Sequence, residues 1–373
     1  MGLPGIKESI IRNIKNIPGP KVSEKIVVIE CDDWGGIRTP SKEVYDNLVD
    51  RNLVDPHCRY RFDTLATVED MEQLFYTLGS VKGLNDKPAV MTPIVNVANP
   101  DFKRIEKDDY QNYYFEEFSN TLERYGRGKQ VLDLWREGLS NGVFVPEIHG
   151  KEHIAVQLWM EKLREGHDDL RYAFSQEYVS LEMSSVPPAA RGFRAEFYFE
   201  NERRIPFLRE SIKEGVTIFR KKLGYSPKLF VPSNGIFHPQ FETTLADSGI
   251  QYLNVMHLNP IPEKGDIRLK YYRNGKQSQS GLTYCVRNCA FEPSDPKYIG
   301  VDATLKQIES AFRWRKPAVI STHRVNFVGG IDPQNREKGL RELQKLLELI
   351  QKKWPDVIFM SSRDLLNCMY KKA

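Results

Sequence analysis

Short apolar runs recur along the chain and alternate with stretches of helical period. Runs at 25–31, 88–95, 143–148, 228–232, 251–256, 282–288, 317–322 and 356–360 are enriched in Val, Ile, Phe and Tyr. Each is bounded by Pro, Gly or Asn, a pattern that predicts strands. Between them, Leu208, Ile212, Val216, Phe219 and Leu223 follow steps of four, four, three and four and mark one face of a helix. Leu340, Leu343, Leu346, Leu347 and Ile350 mark another. Its start is signalled by Asp332 as cap and Pro333 in the first turn, and Glu348 and Lys352 form an i,i+4 pair on its polar side. Strand–helix alternation of this kind implies an α/β fold with a mainly parallel sheet, open or closed into a barrel. Two stretches break the rhythm. Residues 38–87 are polar and mixed, and residues 166–205 are rich in charge and aromatics around Pro187-Pro188. Both read as insertions that wall a cleft. No repeat, low-complexity tract or linker divides the chain, so residues 1–373 are expected to form a single domain.

Composition narrows the class without deciding it. A chain of 373 residues with 40% apolar and 28% charged residues can bury a large core. Barrel folds of this size are often one unit. The net charge of +4 is small and its basic residues are dispersed, which argues against a nucleic-acid partner. The N-terminus lacks the apolar core of a secretory signal, and no stretch approaches the run a membrane span needs. Five cysteines, an odd number without framework spacing, read as reduced thiols, so a cytoplasmic location is expected. Cys285 and Cys289 are spaced for a metal but read as packed or free thiols. Oligomeric state leaves no mark.

The chemistry concentrates at strand ends. In parallel α/β architecture reactive groups gather at the C-terminal ends of strands. The first strand ends in Ile29-Glu30-Cys31-Asp32-Asp33. The third is followed by Glu147-Ile148-His149-Gly150-Lys151-Glu152-His153, and another closes as Ile320-Ser321-Thr322-His323. Two histidines and a carboxylate commonly hold a divalent metal while leaving a position open for water, and the second aspartate is then free to act as a base. The chain has seven histidines, and three of them fall at these positions. That coincidence points to metal-assisted hydrolysis.

These segments resemble the motifs of the polysaccharide deacetylase superfamily, the NodB-homology or carbohydrate esterase family 4 enzymes. The apolar strand ending in Asp-Asp matches the first motif, His149 and His153 match His-x-x-x-His, and Ile320–His323 matches the last motif. Val357–Leu366 is similar to the family's final strand and helix. The resemblance spans roughly 25–366 apart from the two insertions. It implies a distorted (β/α)7-type barrel with inserted segments. It further implies Asp32 as catalytic base, Asp33, His149 and His153 as ligands of a divalent metal with Zn²⁺ first among candidates, and His323 as general acid. The family's third motif, Phe-Arg-x-Pro-x-Gly, reads Phe230-Val231-Pro232-Ser233-Asn234-Gly235 here, so valine stands where an arginine normally orients the base. Arg191, Arg194 and Arg324 are the candidates to replace it. Trp34 stands where the family has glycine.

The expected activity is removal of an acetyl group from a carbohydrate. Keeping an acid at His323 suits an N-acetyl substrate better than an O-acetyl one, because an amine anion leaves poorly. Trp34, Ser233, Asn234, Arg324 and Asn326 are the expected substrate contacts. The backbone around Ser233-Asn234-Gly235 is a source of oxyanion donors. His238 is a further candidate for a sugar contact, Phe237 for packing, and Glu147 for support of the histidines. A small-amide hydrolase of the same superfamily and a catalytically inactive carbohydrate-binding protein are the rival expectations. The second is motivated by the missing arginine.

Overall fold

The computed structural model describes residues 3–263 and 265–370, without the side chains of residues 3–8, 85 and 191. All eight apolar runs contain a strand. We label the parallel strands β1 (Ile26–Trp34), β2 (Met91–Asn96), β3 (Glu147–Gly150), β4 (Leu229–Phe230), β5 (Tyr252–Asn254), β6 (Thr283–Cys285), β7 (Cys289–Ala290), β8 (Ala318–His323) and β9 (Ile358–Phe359). They pair in the order β6-β5-β4-β3-β2-β1-β8-β7, with β9 also on β1, and every pairing is parallel.

The two edges of this path are consecutive in sequence. β6 and β7 are separated only by Val286, Arg287 and Asn288. The extended stretch 283–290 pairs first with β5 and then with β8, so the chain itself carries the sheet round into a seven-stranded α/β barrel. Asn288 seals the crossing. Its Oδ1 accepts from Val319 N at 2.8 Å and its Nδ2 donates to Pro317 O at 2.9 Å. The expected (β/α)7-type barrel is therefore present, distorted at this seam.

The barrel core forms because its strands are apolar on both faces. All nine residues of β1 are buried, as a parallel strand between helices and barrel interior demands. The helix Ile205–Leu223 buries Leu208, Ile212, Val216 and Phe219 against it, and Gly224 ends it in the left-handed conformation. The helix Pro333–Lys353 is capped by Asp332, whose Oδ1 accepts from Gln334 N at 3.0 Å.

The two rhythm-breaking stretches meet over one end of the barrel. Within 38–87, the helix Val68–Gly79 packs under the barrel against Pro333–Lys353 and Gly128–Ser140 as an ordinary crossover helix. It is held by a capping box between Thr67 and Asp70. Residues 37–66 are the true excursion. They join the 154–198 segment in a second apolar cluster around Trp159, Phe174 and Phe193. A hairpin of Leu258–Glu263 with Asp266–Tyr271 adjoins this cluster, where Ile267 packs and Tyr198 Oη donates to Gly265 O at 3.3 Å. No helix of the described residues is long and apolar enough to cross a membrane.

Candidate metal centre

The strand ends deliver the expected side chains to one mouth. Successive strand residues normally face opposite ways, which would split Asp32 from Asp33. A register shift between Cys31 and Trp34, with Asp33 at φ +73°, breaks that alternation. Both carboxylates then line the same cleft, of about 620 Å³, together with His149, His153, Arg287 and His323. The left-handed conformation at Asp33 costs roughly 1–2 kcal/mol. Strain of this kind gathers at functional positions.

Asp33 Oδ1 lies 3.5 Å from His149 Nε2 and 3.2 Å from His153 Nε2. The three candidate ligand atoms all lie within 4.8 Å of one another. His149 Nδ1 is 2.6 Å from Val231 O, which can only accept, so Nδ1 carries a proton and Nε2 is the ring nitrogen that faces Asp33. The role of Val231 here belongs to its carbonyl, which any side chain leaves in place. Burial lowers the pKa of His153, against the pull of Asp33. That favours the neutral imidazole a metal needs. Burial raises the pKa of Asp33, yet His153, His149 and Arg38 outweigh it and hold the carboxyl well below its usual range. Both Nε2 atoms lie within 3.5 Å of Asp33 Oδ1, so two imidazoles and one carboxylate converge on a single point. This donor set fits a divalent ion of the Zn²⁺ type.

Asp32 is held by a residue that sequence reasoning missed. Arg287 donates through Nη1 to Asp32 Oδ2 at 2.6 Å and through Nη2 to Oδ1 at 2.7 Å. Its Nε donates to Glu30 Oε2 at 2.5 Å, and Glu30 Oε1 accepts from Ser362 Oγ at 2.7 Å. Burial works to raise the pKa of Asp32, but this two-pronged pair lowers it overall. Asp32 is thus paired from the 283–290 stretch and not from the position of Val231. Neither Arg324 nor Arg194, two of the three expected replacements, pairs with it. Arg324 bonds Asp63, and Arg194 packs near Tyr60. The Arg191 side chain lies outside the described residues. The signal was present as a lone charge inside the apolar run 282–288.

His323 is equally supported. Its Nδ1 is 2.6 Å from Glu292 Oε1, and its Nε2 is 3.1 Å from Tyr60 Oη and 3.9 Å from Asp32 Oδ2. Burial opposes charge on His323, but Glu292 overrides it and the pKa is raised. Asn326 Nδ2 donates to Glu292 Oε2 at 2.8 Å and so fixes the carboxylate.

Most of the expected substrate contacts do not reach the cleft. Trp34 is 1% exposed and sits edge-on to Trp135 and Phe144 in the core, because the bulge at Asp33 turns it inward. Arg324 is 1% exposed and pins Gly36 O and Asp63, tying the excursion to the barrel. Asn326 is buried beneath Glu292. Ser233 is buried and its hydroxyl accepts from Glu196 N. Only Asn234, at φ +52°, lines the cleft. The amides of Gly235 and Ile236 close turns onto Pro232 O and Ser233 O, so they are engaged and offer nothing to an oxyanion. Glu147 does not support the histidines either. It bonds Arg363 and the amides of Lys228 and Leu229. His238 packs against Phe199, and Phe237 lies in the core. Cys285 and Cys289 are free thiols, the latter raised by burial to about 12.

No family model and no curated protein matches the chain. Solved structures are similar in outline. A putative glycoside hydrolase/deacetylase from Parabacteroides distasonis superposes at TM-score 0.47 with 11% identity, over 95% of this chain and 74% of that one. A putative polysaccharide deacetylase from Mycobacterium smegmatis gives 0.43 and 12%, over 94% of both chains. A 4-alpha-glucanotransferase from Thermococcus litoralis gives 0.44 and 14%, and there the match covers 94% of this chain but 41% of the other. At these scores the likenesses carry no argument about function.

Proposed function

We propose that the chain is a metal-dependent hydrolase that removes an acetyl group from a carbohydrate, N-acetyl in preference to O-acetyl. In this reading it is a divergent polysaccharide deacetylase with residues 1–373 as one catalytic unit. The observation that carries the reading is the convergence of Asp33, His149 and His153 between two supported proton-transfer groups, Asp32 on Arg287 and His323 on Glu292. A binding protein has no need of both.

A divalent ion held by Asp33, His149 and His153 would supply Lewis acidity and a lowered pKa for water. The protein's own groups supply the rest. Asp32, kept ionised by Arg287, accepts the proton of the attacking water. His323, kept protonated by Glu292, donates from Nε2 to the departing nitrogen. Each positioned transfer is typically worth about 10²–10⁴ in rate. Tyr60 Oη occupies the hydrogen-bonding direction of His323 Nε2, so a bound substrate must take that position or bond through the phenol. The missing motif arginine motivates a catalytically inactive reading; the Arg287–Asp32 pair supports the active one.

The test is metal content by elemental analysis followed by acetate release from N-acetylated and O-acetylated sugars. One ion per chain is expected, with turnover that chelation abolishes and Asp32→Asn reduces by about 10²-fold or more. A stoichiometrically loaded Asp32→Asn protein that matches wild type would overturn the assignment of the base.

A further inference from the structure

One wall of the cleft is built from guanidinium groups around a single phenol. The Arg38, Arg59 and Arg194 guanidiniums lie 4.2, 4.5 and 5.5 Å from the centre of the Tyr60 ring. Arg38 lies 3.3 Å from Asp63 and 3.7 Å from Asp33. Arg59 reaches Asp295 no nearer than 3.9 Å, and Arg194 reaches the exposed Glu182 at 3.7 Å. Neither distance is a hydrogen bond. Arg38 is nine-tenths buried, and its Nη1 has no hydrogen-bond partner; nor does Arg194 Nε. Arg38, Arg59 and Tyr60 face the cleft alongside Asp33 and His323, with Arg194 behind the ring.

Buried donors left unpaired cost free energy, and two guanidiniums this near repel. Burial, with Arg38 adding to it, lowers the pKa of Arg194. An oxyanion at this wall would satisfy both demands, because the guanidinium fork matches carboxylate and phosphate oxygens. A neutral sugar's hydroxyl oxygens could accept from the unpaired donors but would leave the charge repulsion unrelieved.

We infer that Arg38 and Arg59, backed by Arg194, bind an oxyanion carried by the substrate sugar close to its acetyl group, so that the substrate is an anionic acetylated sugar. The inference rests on the deacetylase reading and names the substrate class of that same site. A carboxylate at C6 and a phosphate ester present the same chemistry to the wall.

The experiment compares kcat/KM of the metal-loaded protein for three probes: N-acetylglucosamine, its 6-phosphate and its C6 uronic acid. At least one anionic probe is expected to exceed the neutral one by about tenfold to a hundredfold, the range of a charge-assisted bond. That ratio is expected to fall about tenfold or more in Arg59→Gln and in Arg194→Gln, neither of which touches a metal ligand. Taking the ratio cancels any loss of folded protein. Calorimetric binding of the same probes to metal-loaded Asp32→Asn protein gives the preference without turnover. The uronate and phosphate arms identify which oxyanion is read. Equal efficiency on all three probes, or a preference that survives both substitutions, overturns this inference alone. Failure of the loaded protein to deacetylate any acetylated sugar overturns the deacetylase reading and this inference with it.

Discussion

Replacing Arg287 by methionine removes the charge that two buried acids share while keeping much of the volume. In the native protein the side chains of Arg287, Glu30 and Asp32 are 12%, 6% and 9% exposed. The guanidinium makes contacts of 2.5–2.7 Å to both carboxylates. Breaking a buried pair by deleting one partner costs about 3–5 kcal/mol, chiefly because the remaining charge is uncompensated. Here two charges are left, so the upper part of that range is expected. The sign with pH follows from the native state. Asp32 is held below its unfolded value, so its pairing stabilises the protein above about pH 4 and is lost in acid. In the variant both acids are unpaired and buried, so their ionisation penalises the fold as pH rises from about 4. The stability deficit against wild type should therefore be large at neutral pH and shrink in acid. Urea denaturation at several pH values measures it. Adding Asp32→Asn and Glu30→Gln to Arg287→Met should recover most of the loss. The rate profile should move in the same sense. The acid limb of kcat/KM shifts to higher pH, because the base is harder to ionise, and Arg287→Lys restores part of it through a charge without the fork. A methionine variant with native stability at neutral pH and an unmoved acid limb would refute the role given to Arg287.

Three further outcomes follow from the same geometry. Glu292→Gln keeps a hydrogen-bond acceptor but deletes the charge that raises the pKa of His323. Since activity falls as pH rises through that pKa, the alkaline limb of kcat/KM should move to lower pH with the acid limb unchanged. Trp34→Ala should cost about 3–5 kcal/mol in urea denaturation as a core deletion, while the ratio of kcat/KM values between acetylated substrates stays unaltered. Chelation should lower thermal stability by about 2.7 kcal/mol relative to protein holding the ion at a hundred times its Kd, and His153→Ala should abolish that difference in a calorimetric scan.

What could be read from the linear chain was whatever is local. Each strand was visible because a parallel strand buried on both faces carries an unbroken apolar run, as Ile26–Ile29 does at the start of the fully buried β1. The candidate ligands were visible because Asp33, His149 and His153 sit beside such runs, where backbone direction alone assigns them to one mouth of the barrel. The helix at 333–353 announced its own cap. The proposed substrate contacts fared worse, because proximity in sequence to a reactive residue says nothing of which way a side chain turns. Trp34 and Asn326, one and three residues from an active group, are both buried. Conversely, the partners that tune the site are distant in sequence. Arg287 meets Asp32 across 255 residues, Tyr60 meets His323 across 263, and Glu292 meets it across 31. Sequence by itself determined the parallel α/β alternation and the identity of the candidate ligands, because hydrophobic period and strand-end position are properties of short segments. Tertiary structure alone decided that a strand switching from β5 to β8 would bring an arginine onto the base, and that the excursion after β1 would lay a phenol against the acid. Such pairings depend on which strands close the barrel, a choice no short segment encodes.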